Sequence, residues 1–274
     1  MHHSSQSTEL SGAPALTVAG AADKPTLLFL HGAFVTHEPW RPWLERFGAR
    51  GFPGIAPARR GRLGRGPAEA RGLRFQDYLD DTLAALDALP EPPIVVGHSL
   101  GGLLAQKVAE LGRVRAMVLV CPVPAAMLTA QAVALPAYLP MLPRILSGAP
   151  VIPTNGACSR LALNAMPETD RAAEHASLVH ESGTVYRELM MGAIKVDPTR
   201  IKCPTLVVGG AQDHIISTDL LRFTSERYGA ELQLYPEHAH WILAEPGWEL
   251  VADRIALWLE ARVESGVRPR VAAG

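Results

Sequence analysis

The 274 residues are 48% hydrophobic and 19% charged, enough apolar material for one sizeable domain, with or without an insertion, and too much for a disordered chain. Lys and Arg number 26 against 27 Asp and Glu, a formal net charge of -1, so no long-range field gathers nucleic acid or an anionic membrane and any partner is recognised locally. Cys121, Cys158 and Cys203 are widely spaced, with neither C-x-x-C pairing nor His at ligand intervals, which argues against a disulfide framework and a zinc site.

Residues 1–11 are polar and rich in Ser and His, without the apolar run of a secretory signal, and are expected to form a loose tail on a cytoplasmic protein. Residues 26–30 (TLLFL), 93–97 (PIVVG), 115–121 (RAMVLVC) and 205–209 (TLVVG) are short apolar runs, the pattern of strands buried on both faces of a parallel sheet. Residues 54–57 and 231–235 are weaker strand candidates. Helical periodicity occupies about 39–50, 75–88, 99–111, 218–228 and 248–264. Strands alternating with helices predict an α/β, doubly wound, mostly parallel sheet, with ligands at the carboxyl ends of its strands.

The alternation fails between 122 and 202, where Pro, Ala, Leu and Met dominate. That segment is expected to be a helical cap inserted into a core made of residues 12–121 and 203–265, with 266–274 as a second tail. Pro136, Pro140 and Pro143 rule out a membrane span through its most apolar part. A cap over the cleft also lines it, so Met127, Leu135, Tyr138 and Leu139 are candidates to contact an apolar substrate.

The strongest chemical signal is Gly97-His98-Ser99-Leu100-Gly101, directly after PIVVG and opening a helix-like segment. A tight strand-to-helix turn of this kind exposes a strained serine hydroxyl, and its glycines avoid collisions with neighbouring backbone. A phosphate loop is disfavoured, since neither the Lys-Ser/Thr ending nor the G-x-G-x-x-G spacing is present. Ser99 needs a base and an acid, and the carboxyl edge of the sheet offers His238 or His240 and Asp213. The rival acid position, after RAMVLVC, reads Cys121-Pro122-Val123-Pro124 and offers no carboxylate.

With these motifs go His31-Gly32-Ala33-Phe34 after the first apolar run, Trp40, Gly51-Phe52, Gly210-Ala211-Gln212-Asp213, and His240-Trp241 followed by Glu245-Pro246. Together they resemble the α/β-hydrolase superfamily over nearly all of the chain outside the tails and cap, and PPIVVGHSLGGLLAQKVAE resembles bacterial members labelled esterase or lysophospholipase-like. The resemblance implies the α/β-hydrolase fold and selects His240 over His238, leaving His238 as a loop residue near the entrance. It implies backbone N–H groups of Leu100 and Ala33, with Phe34 the fallback, as an oxyanion hole, and places Phe34, His98 and Trp241 near the substrate. Many relatives carry D-x-x-G-x-G-x-S after the second main strand. This chain instead reads ARRGRLGRG at 58–66, expected to be a solvated loop, with attraction of an anionic substrate group as the alternative.

The expected function is a serine hydrolase that cleaves a carboxylic ester with an apolar acyl or alcohol moiety through an acyl-enzyme, using a Ser99–His240–Asp213 triad and neither metal nor cofactor. Thioesterase, lactonase, C–C hydrolase or lyase chemistry on the same triad, and a non-catalytic small-molecule receptor, are the alternatives. The expected partner is the small-molecule substrate, with no nucleic acid and no membrane span. A homodimer is left open.

Overall fold

A computed structural model describes residues 4–125 and 132–263. The strands are β1 (Gln6–Leu10), β2 (Ala13–Val18), β3 (Leu27–Leu30), β4 (Gly54–Pro57), β5 (Ile94–His98), β6 (Ala116–Val120), β7 (Thr205–Gly210) and β8 (Glu231–Tyr235). They form one sheet in the order β1-β2-β4-β3-β5-β6-β7-β8. The β1–β2 and β2–β4 pairings are antiparallel, and every pairing from β4 to β8 is parallel.

The inner strands are apolar throughout because both faces are covered. Alternate residues serve opposite layers. Phe29, Val96, Val118 and Val208 pack with helices α1 (Arg41–Ala49) and α10 (Trp248–Val263). Leu28, Val95, Met117 and Val207 pack on the other face with α2 (Phe75–Asp87), α3 (Leu100–Glu110) and α9 (Thr218–Tyr228).

One sequence-based expectation changes at the N-terminus. Residues 6–10 are not tail but the edge strand β1, which pairs with β2 through a two-residue turn at Ser11 and Gly12, both with positive φ. That is the turn geometry that matches strand twist. Most of β1 is exposed, so it carries no apolar signal.

Between β6 and β7 lie the cap helices α4 (Leu135–Tyr138), α5 (Leu142–Ser147), α6 (Asn155–Leu161), α7 (Glu168–Ala176) and α8 (Gly183–Met190). Among the described residues no helix is long and apolar enough to cross a membrane. The cap is tied down by an antiparallel bridge between Val151 and Glu181 and by the Val179 amide, which donates to the Phe34 carbonyl at 2.7 Å.

The arginine-rich segment is also corrected. Arg60 is exposed and pairs with Asp81, but Arg59 and Arg62 are buried. Arg62 pairs with Glu181 of the cap, and donates to the Tyr78 hydroxyl at 3.0 Å and to the His180 carbonyl. Tyr78 in turn donates to Glu181 at 2.6 Å. Buried charges persist where partners satisfy them, and here the partners come from α2 and the cap.

Candidate active site

Ser99 stands between the end of β5 and the start of α3 with φ 53° and ψ -115°. Few L-residues hold that backbone without support, and the turn supplies it. The Ser99 amide donates to Val120 O at 3.0 Å, and Ser99 O accepts from Gly102 N at 2.9 Å. A Cβ on Gly101 would strike the Leu30 carbonyl, and one on Gly97 the backbone of Gly101. These glycines are what let the helix approach the sheet closely enough to present the hydroxyl.

Asp213 follows β7 and His240 follows β8, so parallel neighbours deliver both to the edge where β5 delivers Ser99. The Ser99 Oγ lies 3.0 Å from His240 Nε2, and His240 Nδ1 lies 2.8 Å from Asp213 Oδ2. The other carboxylate oxygen accepts from the amides of Ile215 at 2.7 Å and Ile216 at 2.9 Å. All three side chains are buried. In this arrangement the hydroxyl donates to the imidazole, and the imidazole donates to the carboxylate.

The expected serine hydrolase centre, closed by Ser99, His240 and Asp213 alone, is corrected by Cys121. Its thiol forms a buried cluster with the Asp213 carboxylate and the His240 imidazole, with one donor atom of each within 4.8 Å of the others. The position after β6, which offers no carboxylate, is occupied by this sulfur. The centre therefore has four groups. Burial, then the Asp213 charge, pushes the Cys121 thiol well above its ordinary pKa. It is held as a neutral donor, 3.8 Å from Ala239 O. Thiolate, carboxylate and imidazole are a donor set that a soft divalent cation would take, but here imidazole and carboxylate hydrogen-bond to each other.

Two further histidines serve the loop that carries His240. His98 Nε2 lies 2.9 Å from the His240 carbonyl, and its ring packs edge-on to Trp241. Since the carbonyl can only accept, the proton sits on Nε2. Burial, and secondly His240, lowers the His98 pKa to about 3. His238 is corrected: it is buried and not at the entrance, with Nδ1 3.0 Å from Glu245 Oε2, which also accepts from Ala239 N at 2.8 Å.

The lowered His98 pKa has a sign. The unfolded chain binds this proton near the ordinary 6.5 and the folded chain only near 3, so the stability involved is complete above about pH 6.5 and lost as pH falls toward 3. Urea midpoints are expected to fall through that window, and less steeply in His98→Gln. An equally steep fall in the variant would assign the acid lability elsewhere.

Above the Ser99 hydroxyl opens a cavity lined mainly by apolar side chains. Phe34, His98, Tyr138 and Trp241 line it, as do Ala33 and Leu100. Leu135 and Leu139 do not, and are 54% and 63% exposed. The short proline-broken turns of α4 direct Ala137 and Tyr138 inward instead. Met127 lies outside the described residues. Sequence reasoning missed Met141, Leu161, Tyr186, Met190 and Glu174 in the lining. The Glu174 carboxylate accepts from Trp241 Nε1 at 3.1 Å, a contact with no sequence signature.

A family model described as "Alpha/beta hydrolase family" matches residues 27–254, which include the Ser99 turn, Asp213 and His240. The chain belongs to this family. As an α/β hydrolase it shares its fold with a provisionally assigned lipase from Acinetobacter baumannii AYE, at a TM-score of 0.73 and 19% identity over 97% of this chain and 93% of that one. The monoacylglycerol lipase of Paleococcus ferrophilus aligns with a TM-score of 0.68 and 22% identity over 89% of this chain and 96% of that one. A serine hydrolase of Cycloclasticus zankles aligns with a TM-score of 0.68 and 15% identity over 94% and 98%. No curated protein matches this α/β hydrolase by sequence.

Proposed function

We propose that this α/β hydrolase transfers an acyl group from an ester-type, largely apolar small molecule to water, with His240 as proton carrier for Ser99 on the cavity side and with Asp213 and Cys121 behind the imidazole. The observation that carries the reading is the short line from Ser99 Oγ through His240 to Asp213 at the floor of an apolar cavity.

A serine hydroxyl attacks poorly at neutral pH unless a base takes its proton as the new bond forms. His240 Nε2 is within hydrogen-bond reach of that proton, and Asp213 orients the ring and stabilises the imidazolium. Ala33 and Leu100 line the cavity beside Ser99, and the Leu100 amide, first in α3, has no helical acceptor. They are the donors assigned to the developing oxyanion, each typically worth about 10² to 10³ in turnover. The same imidazole then protonates the leaving group and activates water. The lipases among the structural neighbours act on lipid esters by their names, and the apolar lining agrees with substrates of that kind. We place the protein in the cytoplasm, in keeping with its three unpaired cysteines.

A series of p-nitrophenyl esters from acetate to dodecanoate tests the reading. Turnover is expected, with kcat/KM rising from acetate to the medium chains as the cavity fills. No hydrolysis across the series, while thioesters or lactones of matched hydrophobicity are consumed, would overturn it.

A further inference from the structure

Arg59 is 2% exposed and points into the protein, beneath the loop that follows β3. Its guanidinium donates to His31 O at 2.6 Å and Gly32 O at 2.9 Å, and lies 3.1 Å from His31 Nδ1. His31 Nδ1 lies 3.1 Å from Gly32 O as well, so ring and guanidinium meet at the same carbonyl. The Tyr78 ring lies 5.2 Å away on one side. Among the described residues no carboxylate forms an ion pair with Arg59, whereas Arg62 beside it is matched by Glu181.

The contact with Gly32 O bears on chemistry because the Gly32 carbonyl and the Ala33 N–H belong to one peptide unit. In a trans peptide the two groups lie in one plane and point in opposite directions, and the protein has no cis peptide bond among the described residues. A donor that fixes the direction of Gly32 O therefore fixes the direction of Ala33 N–H. A cationic donor on the oxygen also polarises the amide and strengthens its N–H as a donor. The loop has little other freedom: a Cβ on Gly32 would come within 3.2 Å of Ser99 Cβ, and Phe34 takes φ 63° with its carbonyl held by Val179 N.

We propose that Arg59 is the positioning residue of the oxyanion hole, aiming and polarising the Ala33 amide through the Gly32 carbonyl from the far side of the peptide plane. The proposal rests on the Proposed function reading in which Ala33 N–H faces the oxyanion. It also replaces the idea that this arginine attracts an anionic substrate group, since the guanidinium faces backbone acceptors and is not among the cavity-lining residues.

Arg59→Lys keeps the cation but loses the fork, and Arg59→Gln keeps one neutral donor, so two variants of different risk are available. Both are titrated with a fluorophosphonate so that kcat is expressed per competent Ser99, which removes any loss due to unfolding. The expected result is a fall of about 10² in kcat per titrated site, the size of a lost oxyanion donor, with KM changed by less than about threefold because the planar ester needs the donor less than the tetrahedral state does. Affinity for an alkyl trifluoromethyl ketone, which forms a tetrahedral oxyanion on the serine, is expected to fall with kcat/KM. Tyr78→Phe, which keeps the ring beside Arg59 but loses the hydroxyl, is expected to lower the thermal midpoint and leave kcat per site unchanged. Arg59 variants that keep kcat per site within about threefold of wild type and bind the ketone normally would overturn the proposal while leaving Ser99 in its role. Turnover that survives Ser99→Ala would instead sink the underlying reading.

Discussion

Ser99→Ala is expected to lower ester turnover by roughly 10⁴ or more, and His240→Ala by a similar factor, because groups that act as a unit lose nearly everything when either is removed. Cys121→Ala is expected to cost no more than about tenfold, an effect exerted through Asp213. The contrast follows from where the two potential nucleophiles stand. Ser99 Oγ opens on the cavity and shares a proton with His240 Nε2. Cys121 lies on the far side of the centre, fully buried, outside the cavity lining, with its thiol pKa pushed up by burial and the Asp213 charge. A thiol attacks as thiolate, and such an environment suppresses thiolate. Kinetics of the three variants, with fluorophosphonate and iodoacetamide labelling, give the decision. Should Cys121→Ala abolish turnover and iodoacetamide block it, while Ser99→Ala keeps activity, the nucleophile is the thiol and the roles assigned to the cavity side are wrong.

The inner sheet is legible because strands buried on both faces are mostly apolar, and β3, β5, β6 and β7 are buried at every position, with only Thr205 and His98 polar. The edge strand β1 is not, since exposed Gln6, Ser7, Thr8 and Glu9 read as tail. The turns that hold Ser99, Asp213 and His240 stood out because glycine and histidine recur there at fixed distances from strand ends. What sequence could not supply was pairing across distance. Arg62 looks solvated until Glu181 arrives from the cap, and His238 looks like an entrance residue until Glu245 folds back onto it. Leu135 and Leu139 are hard to place for another reason: helical turns of three or four residues interrupted by proline do not define a face from spacing alone. Cys121 belongs to no spacing motif, and its approach to Asp213 and His240 exists only in the folded sheet edge.

Those long-range pairs set the second large effect, on stability. Arg62→Met is expected to destabilise the protein by about 3–5 kcal/mol, since it strips the Glu181 carboxylate of its cation inside the protein, where neither side chain has measurable exposure. For a chain of this size that corresponds to a drop of roughly 10 °C in thermal midpoint. Glu181→Gln leaves the reverse problem, a buried guanidinium whose acceptors, the amide oxygen at position 181, Tyr78 Oη and His180 O, carry no charge, and is expected to cost a similar amount. The double variant Arg62→Met/Glu181→Met removes both charges together. It is expected to recover a large part of either single loss, because much of that loss is the penalty of the charge left behind and not the worth of the pair. Thermal unfolding of the four proteins closes the cycle. If the double variant loses the sum of the two single losses, the pair carries no coupling, and the cap is held to the core by Val179 and the apolar contacts without it.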